Sequence, residues 1–242
     1  MQPSNAKLNF EQPAVVGVIT SMQSLSLAKQ LQNAADFFEV RLDFFAQHLN
    51  LLDSELQDLQ CPLIITARHP AEGGAFSLNS KERQKLLTAF LDRAAVVDIE
   101  LRSARFMDEV IRRAKNSNVS LLISFHDFQT TPRPVQLQRI VAKALLFEPD
   151  LVKIATQTST PTELSHLIAL SEAERRVPLS LMGMGRYGRV SRLVLAQAGS
   201  ALNYGFLGSA QVAGQWPVSV LKQRIEELIS TSKVRPKQSG TA

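Results

Sequence analysis

Strand-like and helix-like segments alternate along this chain, and that rhythm restricts its fold more than any single motif does. Short apolar and β-branched runs fall at residues 14–20, 37–42, 63–68, 96–101, 120–126, 151–155, 178–182 and 201–206. Amphipathic stretches separate them at 24–35, 51–59, 80–93, 104–116, 135–146, 161–175 and 190–198, and a last one at 218–229 closes the series. Several open on helix-starting residues, Asn79-Ser80 and Thr160-Pro161 among them. Eight βα units in about 250 residues predict an α/β chain folded as a single-domain (β/α)8 TIM barrel. The rival, a doubly wound open sheet, usually carries a glycine-rich phosphate loop after its first strand. Here that turn reads Thr20-Ser21-Met22-Gln23, without a glycine. The barrel is expected over 12–231, between an N-terminal tail at 1–11 and a disordered C-terminal tail at 232–242.

Barrel active sites gather at the C-terminal ends of the strands, so the residues delivered there carry the functional information. Alternation along a strand puts Glu39 and Arg41 on one face of the second, and Asp98 and Glu100 on one face of the fourth. The third ends on Arg68 and the fifth on Ser124-Phe125-His126-Asp127. In the sixth, Leu151, Lys153 and Ala155 share a face, so the lysine points into whatever that face encloses. Taken alone, Lys153 reads as a strand-end lysine reaching to water. Five successive strands sending charged or titratable groups to the same end is different, because inward charges are too costly to accumulate without partners or a ligand. Asp98 and Glu100 are suited to neutralising the arginines and holding the barrel mouth together.

These residue types allow a narrow chemistry. No Ser-His-Asp arrangement, HExxH or P-loop is present, and no two-His-one-carboxylate spacing, so metal and serine-nucleophile readings are weak. Like charge from the arginines and an apolar setting favour a neutral lysine amine, the form that attacks a carbonyl. A Schiff base then serves as an electron sink that acidifies the neighbouring carbon, with His126 on the adjacent strand as proton carrier. No metal or organic cofactor is implied, since the imine supplies the sink.

Composition narrows the partners. The chain has 242 residues, is 45% hydrophobic and 20% charged, and carries a net charge of +5 from 27 Lys and Arg against 22 Asp and Glu. The basic residues are scattered rather than blocked, which suits a small anionic substrate better than nucleic acid. No run approaches the ~18 apolar residues of a membrane span. The single cysteine, Cys61, forms no internal disulfide and no zinc-ligand spacing exists, which points to a reducing, cytoplasmic setting.

The ordered motifs resemble one family, type I 3-dehydroquinate dehydratase, the Schiff-base enzyme of the shikimate pathway to the aromatic amino acids. In order they are Glu39-Val40-Arg41-Leu42-Asp43, Arg68 with Glu72-Gly73-Gly74, Asp98-Ile99-Glu100-Leu101, and Ser124-Phe125-His126-Asp127-Phe128. Val152-Lys153-Ile154-Ala155, Met184-Gly185 with Gly188 and Ser191-Arg192, and Ala213-Gly214-Gln215 complete the set. The resemblance runs from about Val15 to Leu228. It implies that Lys153 forms an imine with the C3 carbonyl of 3-dehydroquinate, that His126 is the general base and acid of a syn elimination, and that Glu72 orients it. It further implies that Arg192 makes a bidentate grip on the substrate carboxylate. Glu39 and Arg68 hold ring hydroxyls with Arg41 close by, and Gln215 closes over the substrate as part of a lid. Two positions depart from the family: Gln211 stands where a small hydroxyl residue contacts the substrate, and Ala213 replaces a proline. Gln211 is expected to keep that contact through its longer amide. Family members are often dimers, so a homodimer is expected. Two alternatives stay open: a class I aldolase-type Schiff-base lyase, and a catalytically silent barrel that binds a metabolite.

Overall fold

The computed structural model of the chain describes residues 8–232. Eight parallel strands run in the order β7-β6-β5-β4-β3-β2-β1-β8. They are β1 Ala14–Ile19, β2 Phe37–Arg41, β3 Leu63–Thr66, β4 Val96–Glu100, β5 Ser120–Asp127, β6 Leu151–Gln157, β7 Leu179–Met184 and β8 Leu202–Phe206. The principal helices that follow them are α1 Met22–Gln30, α2 Leu49–Leu56, α3 Ser80–Ala89, α4 Asp108–Asn116, α5 Pro134–Leu145, α6 Pro161–Ala173, α7 Gly188–Gln197 and α8 Val218–Ser232. The TIM-barrel expectation holds.

Element bounds differ from the sequence expectation where local hydrogen bonding decides. Helix α1 begins earlier because Ser21 and Ser24 form a reciprocal cap, and it stops at Gln30, ahead of a 3-10 turn at Gln32–Ala34. The stretch expected as one helix from 104 to 116 divides into a 3-10 turn, Ala104–Phe106, and α4. Strand β3 ends at Thr66, so Arg68 enters the site from the loop beyond it, where its backbone N–H donates to Asp43 Oδ1 at 3.1 Å.

Strand alternation produces two apolar layers. Outward-facing Val40, Ile65, Val97, Ile99, Val152 and Leu181 pack with Leu52, Leu86, Val110, Leu137 and Leu167 of the helices. Inward-facing Phe37, Ile64, Val96, Leu122, Leu151 and Leu202 fill the lower barrel. Phe10, within the expected 1–11 tail, is buried among them and stacks on Phe37 with ring centroids 6.5 Å apart. Residues 1–7 and 233–242, which the two expected tails include, lie outside the described residues.

The barrel closes differently at its two seams. Strands β1 and β8 share a regular parallel ladder from Ala14↔Leu202 to Val18↔Phe206. Between β7 and β8, serine side chains do part of that work: Ser180 Oγ donates to the Leu202 carbonyl at 2.6 Å, and Ser200 Oγ accepts from Leu181 N–H at 2.9 Å. Among the described residues, no helix is long and apolar enough to cross a membrane.

Candidate active site

The polar residues converge on a cavity of about 260 Å³ at the C-terminal ends of the strands. Its lining includes Glu39, Arg41, Arg68, Glu72, His126, Lys153, Arg192, Gln211 and Gln215, every residue given a catalytic or substrate-binding role from the sequence, while Asp98 and Glu100 lie behind it. Lys153 is 3% exposed. Its Nζ donates to Asp98 Oδ2 at 2.6 Å, lies 3.7 Å from Glu39 Oε1, and is 3.4 Å from the Tyr204 hydroxyl. The arginines expected to crowd the lysine are present, yet its nearest charged partner is a carboxylate.

Arg68 explains that arrangement. Its guanidinium bonds Asp98 Oδ1 at 3.1 Å and Oδ2 at 2.7 Å, Glu100 at 3.2 Å, Ser124 Oγ at 2.7 Å and Glu39 Oε1 at 3.4 Å. Glu100 also pairs with Arg83, a buried arginine of α3 whose other donors reach the Ala67 carbonyl and Ser103 Oγ. Arg68, Arg83 and Lys153 therefore face Glu39, Asp98 and Glu100 in a charge-balanced set, the condition under which buried ions persist. Burial by itself would raise the Asp98 pKa, but Arg68 and Lys153 outweigh it and hold the carboxyl well below the usual range.

His126 is held from behind. Glu72 Oε2 accepts from the His126 backbone N–H at 3.1 Å and lies 2.8 Å from Nδ1. An oxygen already accepting a backbone proton favours the tautomer with hydrogen on Nδ1, leaving the Nε2 lone pair free. Burial, then Arg68 and Lys153, push the His126 pKa well below its ordinary value, so the ring is a neutral base at pH 7. Burial and the nearby Glu100 raise the Glu72 carboxyl to about 7. Glu72 reaches this position through a tight turn in which glycine is required: a Cβ on Gly74 would lie 2.4 Å from the Arg68 carbonyl. Arg41 secures the same turn. It makes two bonds to Asp43, at 3.0 and 2.8 Å, and one to the Gly73 carbonyl at 2.9 Å.

On α7, Arg192 has a different environment. It is 1% exposed, and its partners are backbone carbonyls: Tyr204 at 3.0 Å through Nε, and Gly183, Gly188 and Gly214 at 2.8, 2.9 and 2.9 Å through Nη1. Among the described residues, no carboxylate pairs with it. Burial lowers its pKa to about 10. The expected two-nitrogen grip on an anion is thereby reduced to Nη2, because Nε and Nη1 are occupied by protein.

The loop after β8 is seated on this arginine. Gly214 accepts from Arg192, and the Ala213 carbonyl accepts from Gly185 N–H at 2.9 Å. Gly214 has φ +82°, and a Cβ there would sit 2.4 Å from the Gly185 carbonyl, so this seat demands glycine. Gln215 Oε1 accepts from Gln211 N–H at 2.7 Å, which leaves its Nε2 for a ligand. Gln211 lines the cavity, but its amide turns back to the Ser209 carbonyl at 3.3 Å. Trp216 anchors the loop's end, its indole N–H donating to the Arg189 carbonyl at 3.0 Å.

Sequence reasoning missed Arg83, Tyr204 and a role for Asp43. Arg83 could have been found, since it shares a helix face with Leu86 and Leu87. Tyr204 lies two residues from Leu202 on β8 and so on the same inward face. Asp43 had no comparable signal, since its partners meet it only in the fold.

A (β/α)8 barrel whose cavity sets a buried lysine beside a carboxylate-held histidine and opposite a carbonyl-caged arginine is built for amine chemistry on a small anionic carbonyl compound. The model of the type I 3-dehydroquinase family matches residues 15–230, and the chain belongs to that family. It is 32% identical to a 3-dehydroquinate dehydratase of Methanosarcina acetivorans over 228 residues, covering 89% of this chain and 94% of that protein. The 3-dehydroquinate dehydratase structure from Geobacillus kaustophilus superposes with a TM-score of 0.83 at 25% identity, covering 92% of this chain and 93% of that one. A type I enzyme from Clostridium difficile, solved with covalent modified comenic acid, gives a TM-score of 0.82 at 26% identity, with 91% and 93% covered.

Proposed function

We propose that the chain converts 3-dehydroquinate to 3-dehydroshikimate and water, with its side chains dividing the reaction as follows. The amine of Lys153 attacks the C3 carbonyl carbon. The proton that Lys153 sheds to become a free amine is carried by His126 to the carbinolamine hydroxyl. The C–O bond then breaks, its oxygen leaves as water, and the nitrogen lone pair closes a C=N bond. The cationic imine draws electrons from C2, and His126 Nε2 takes a proton there to give an enamine. The imidazolium returns that proton to the C1 hydroxyl as the C1–O bond breaks, so water departs and the iminium re-forms in conjugation with C1=C2. Hydrolysis of the imine frees the product and Lys153. One imidazole performs both transfers from one face, which makes the elimination syn.

Glu72 keeps the His126 lone pair directed into the cavity, and Arg192 Nη2 receives the substrate carboxylate. Glu39 takes Thr66 and Arg68 on Oε1, which leaves Oε2 for a ring hydroxyl. Arg68 acts by holding Glu39 and Asp98, Arg41 by holding the Glu72 turn, and Gln215 and Gln211 by covering the bound ring. The observation that carries this reading is the pairing, on one cavity, of a buried lysine with a buried arginine that has no carboxylate partner among the described residues. The reading extends to a cytoplasmic homodimer; exposed Val190 and Val194, one turn apart on α7, support an apolar contact between copies. A monomer by sedimentation would reject the dimer.

The test is intact-protein mass spectrometry after mixing with 3-dehydroquinate and borohydride, with the adduct mapped by peptide. A reduced adduct on Lys153 is expected. Its absence from folded protein, or an adduct formed only with sugar phosphates, would overturn the assignment in favour of a silent or aldolase-type barrel.

A further inference from the structure

Tyr204 touches both poles of the site. Its ring lies beneath Lys153, with Nζ 4.4 Å from the ring centroid, and its hydroxyl is 3.4 Å from the same nitrogen. Its backbone carbonyl accepts from Arg192 Nε at 3.0 Å. The residue is 4% exposed, on a strand whose parallel ladder with β1 pairs it with Val16. Burial, with Glu39 and Asp98 adding to it, keeps the phenol protonated well above pH 10, so it presents a neutral aromatic face.

That face has a specific consequence for a nitrogen whose charge changes during reaction. An aromatic ring attracts a cation through its quadrupole, most strongly where water is excluded, and gives far less to a neutral amine. The attacking amine, the carbinolamine and the enamine are neutral at nitrogen; the iminium is cationic. When the carbinolamine C–O bond breaks, water leaves and the nitrogen lone pair becomes the C=N bond, placing positive charge against the ring on its hydroxyl side. Asp98, on the other side, offers the iminium N–H a hydrogen-bond acceptor at the position it already occupies against Lys153.

We propose that Tyr204 is a further catalytic residue, whose ring face holds the iminium on Lys153 and raises its share of the bound states, the hydroxyl being secondary. This rests on the imine chemistry assigned to Lys153. Tyr204 carries this function through its side chain, while its backbone bond to Arg192 is independent of the side chain and survives substitution.

The experiment compares wild type, Tyr204→Phe and Tyr204→Leu in borohydride trapping at saturating 3-dehydroquinate, with kcat and KM measured in parallel. Tyr204→Phe keeps the face and is expected to retain trapping within about threefold. Tyr204→Leu loses the face and is expected to lose about tenfold or more of the trapped adduct and a similar factor in kcat. KM should move little, since the carboxylate seat is intact. Because a buried leucine leaves part of the ring's volume empty, a series of phenylalanines of rising ring fluorination at 204 keeps size nearly constant while weakening the quadrupole. The trapped fraction should fall stepwise along it, a response that mere packing does not give. Equal trapping across the fluorinated series, or in Tyr204→Leu, would overturn the proposal. Failure of wild type to form any adduct would instead reject the imine reading on which it stands.

Discussion

Lys153 and Arg192, two of the buried cations on one cavity of this barrel, are housed in opposite ways. Lys153 sits in a set of charges that balances within the protein, with Asp98 at 2.6 Å and Arg68 on the same carboxylate. Arg192 sits among carbonyls, with no carboxylate partner among the described residues. Carbonyl dipoles orient a guanidinium but do not cancel its charge, and burial already weakens its hold on its proton. The difference assigns two tasks. The balanced pole suits a reaction in which charge appears and disappears on nitrogen, while the unbalanced pole suits the reception of an anion.

Removing the reacting amine breaks this contrast most severely. Lys153→Ala should abolish the borohydride adduct and lower kcat by a factor on the order of 10⁵, as loss of a covalent nucleophile does; near-normal turnover would refute the mechanism. Asp98→Ala attacks the balance rather than the nucleophile. It strands Arg68 and Lys153 without their shared carboxylate, and denaturant unfolding should show a loss of about 3–5 kcal/mol. At the other pole, Arg192→Lys keeps the charge but not the planar fork, so kcat/KM should fall about 10²-fold, mostly through KM. An equal fall in kcat with KM unchanged would place Arg192 in the chemistry instead of the seat.

A pH series sharpens the comparison. His126 is already neutral at pH 7, so the titration that matters is that of Glu72. Activity should drop as pH falls through about 7, when Glu72 takes a proton and ceases to be the acceptor for Nδ1–H. The stability sign is opposite. A carboxyl with a raised folded pKa binds more protons native than unfolded, so it lowers stability as pH rises from its ordinary 4.5 to about 7. Glu72→Gln should therefore lose this activity inflection together with most activity. It should also melt a few degrees above wild type at pH 8, with no advantage at pH 4. The smallest effect belongs to the lid: Gln211→Ser should change KM less than about threefold, because the Gln211 amide is bonded to Ser209. A larger change would show that the amide turns to the substrate.

The sequence made one of the two poles legible. Charged residues at alternate strand positions announce themselves against an apolar background, which is why Glu39, Arg68, Asp98, His126 and Lys153 could be assigned to one cavity from periodicity and strand order. Arg192 could be reached only through resemblance. What makes its site is four carbonyls, and backbone acceptors leave no trace in residue identity. Tyr204 and Arg83 were hidden for another reason, since an aromatic or an arginine on an apolar face reads as packing until its neighbours are known. The 3-10 turns that shorten α1 and α4 are closed by backbone hydrogen bonds, Ala34 N–H to Leu31 and Met107 N–H to Ala104, and lay beyond periodicity.

Arg192 also bridges the serine-assisted seam: its Nη1 bonds Gly183 on β7 and its Nε bonds Tyr204 on β8. The residue assigned to receive the substrate thus clasps the barrel where its regular ladder gives way to hydroxyl contacts. Occupancy of that seat should be felt mechanically across the wall. Amide hydrogens along β7 and β8 should exchange with solvent more slowly in the liganded enzyme, while those of β2, on the far side of β1, keep their rate. Faster exchange at that join in the empty barrel, quenched by its own reactant, is the expected signature of a seam latched from within.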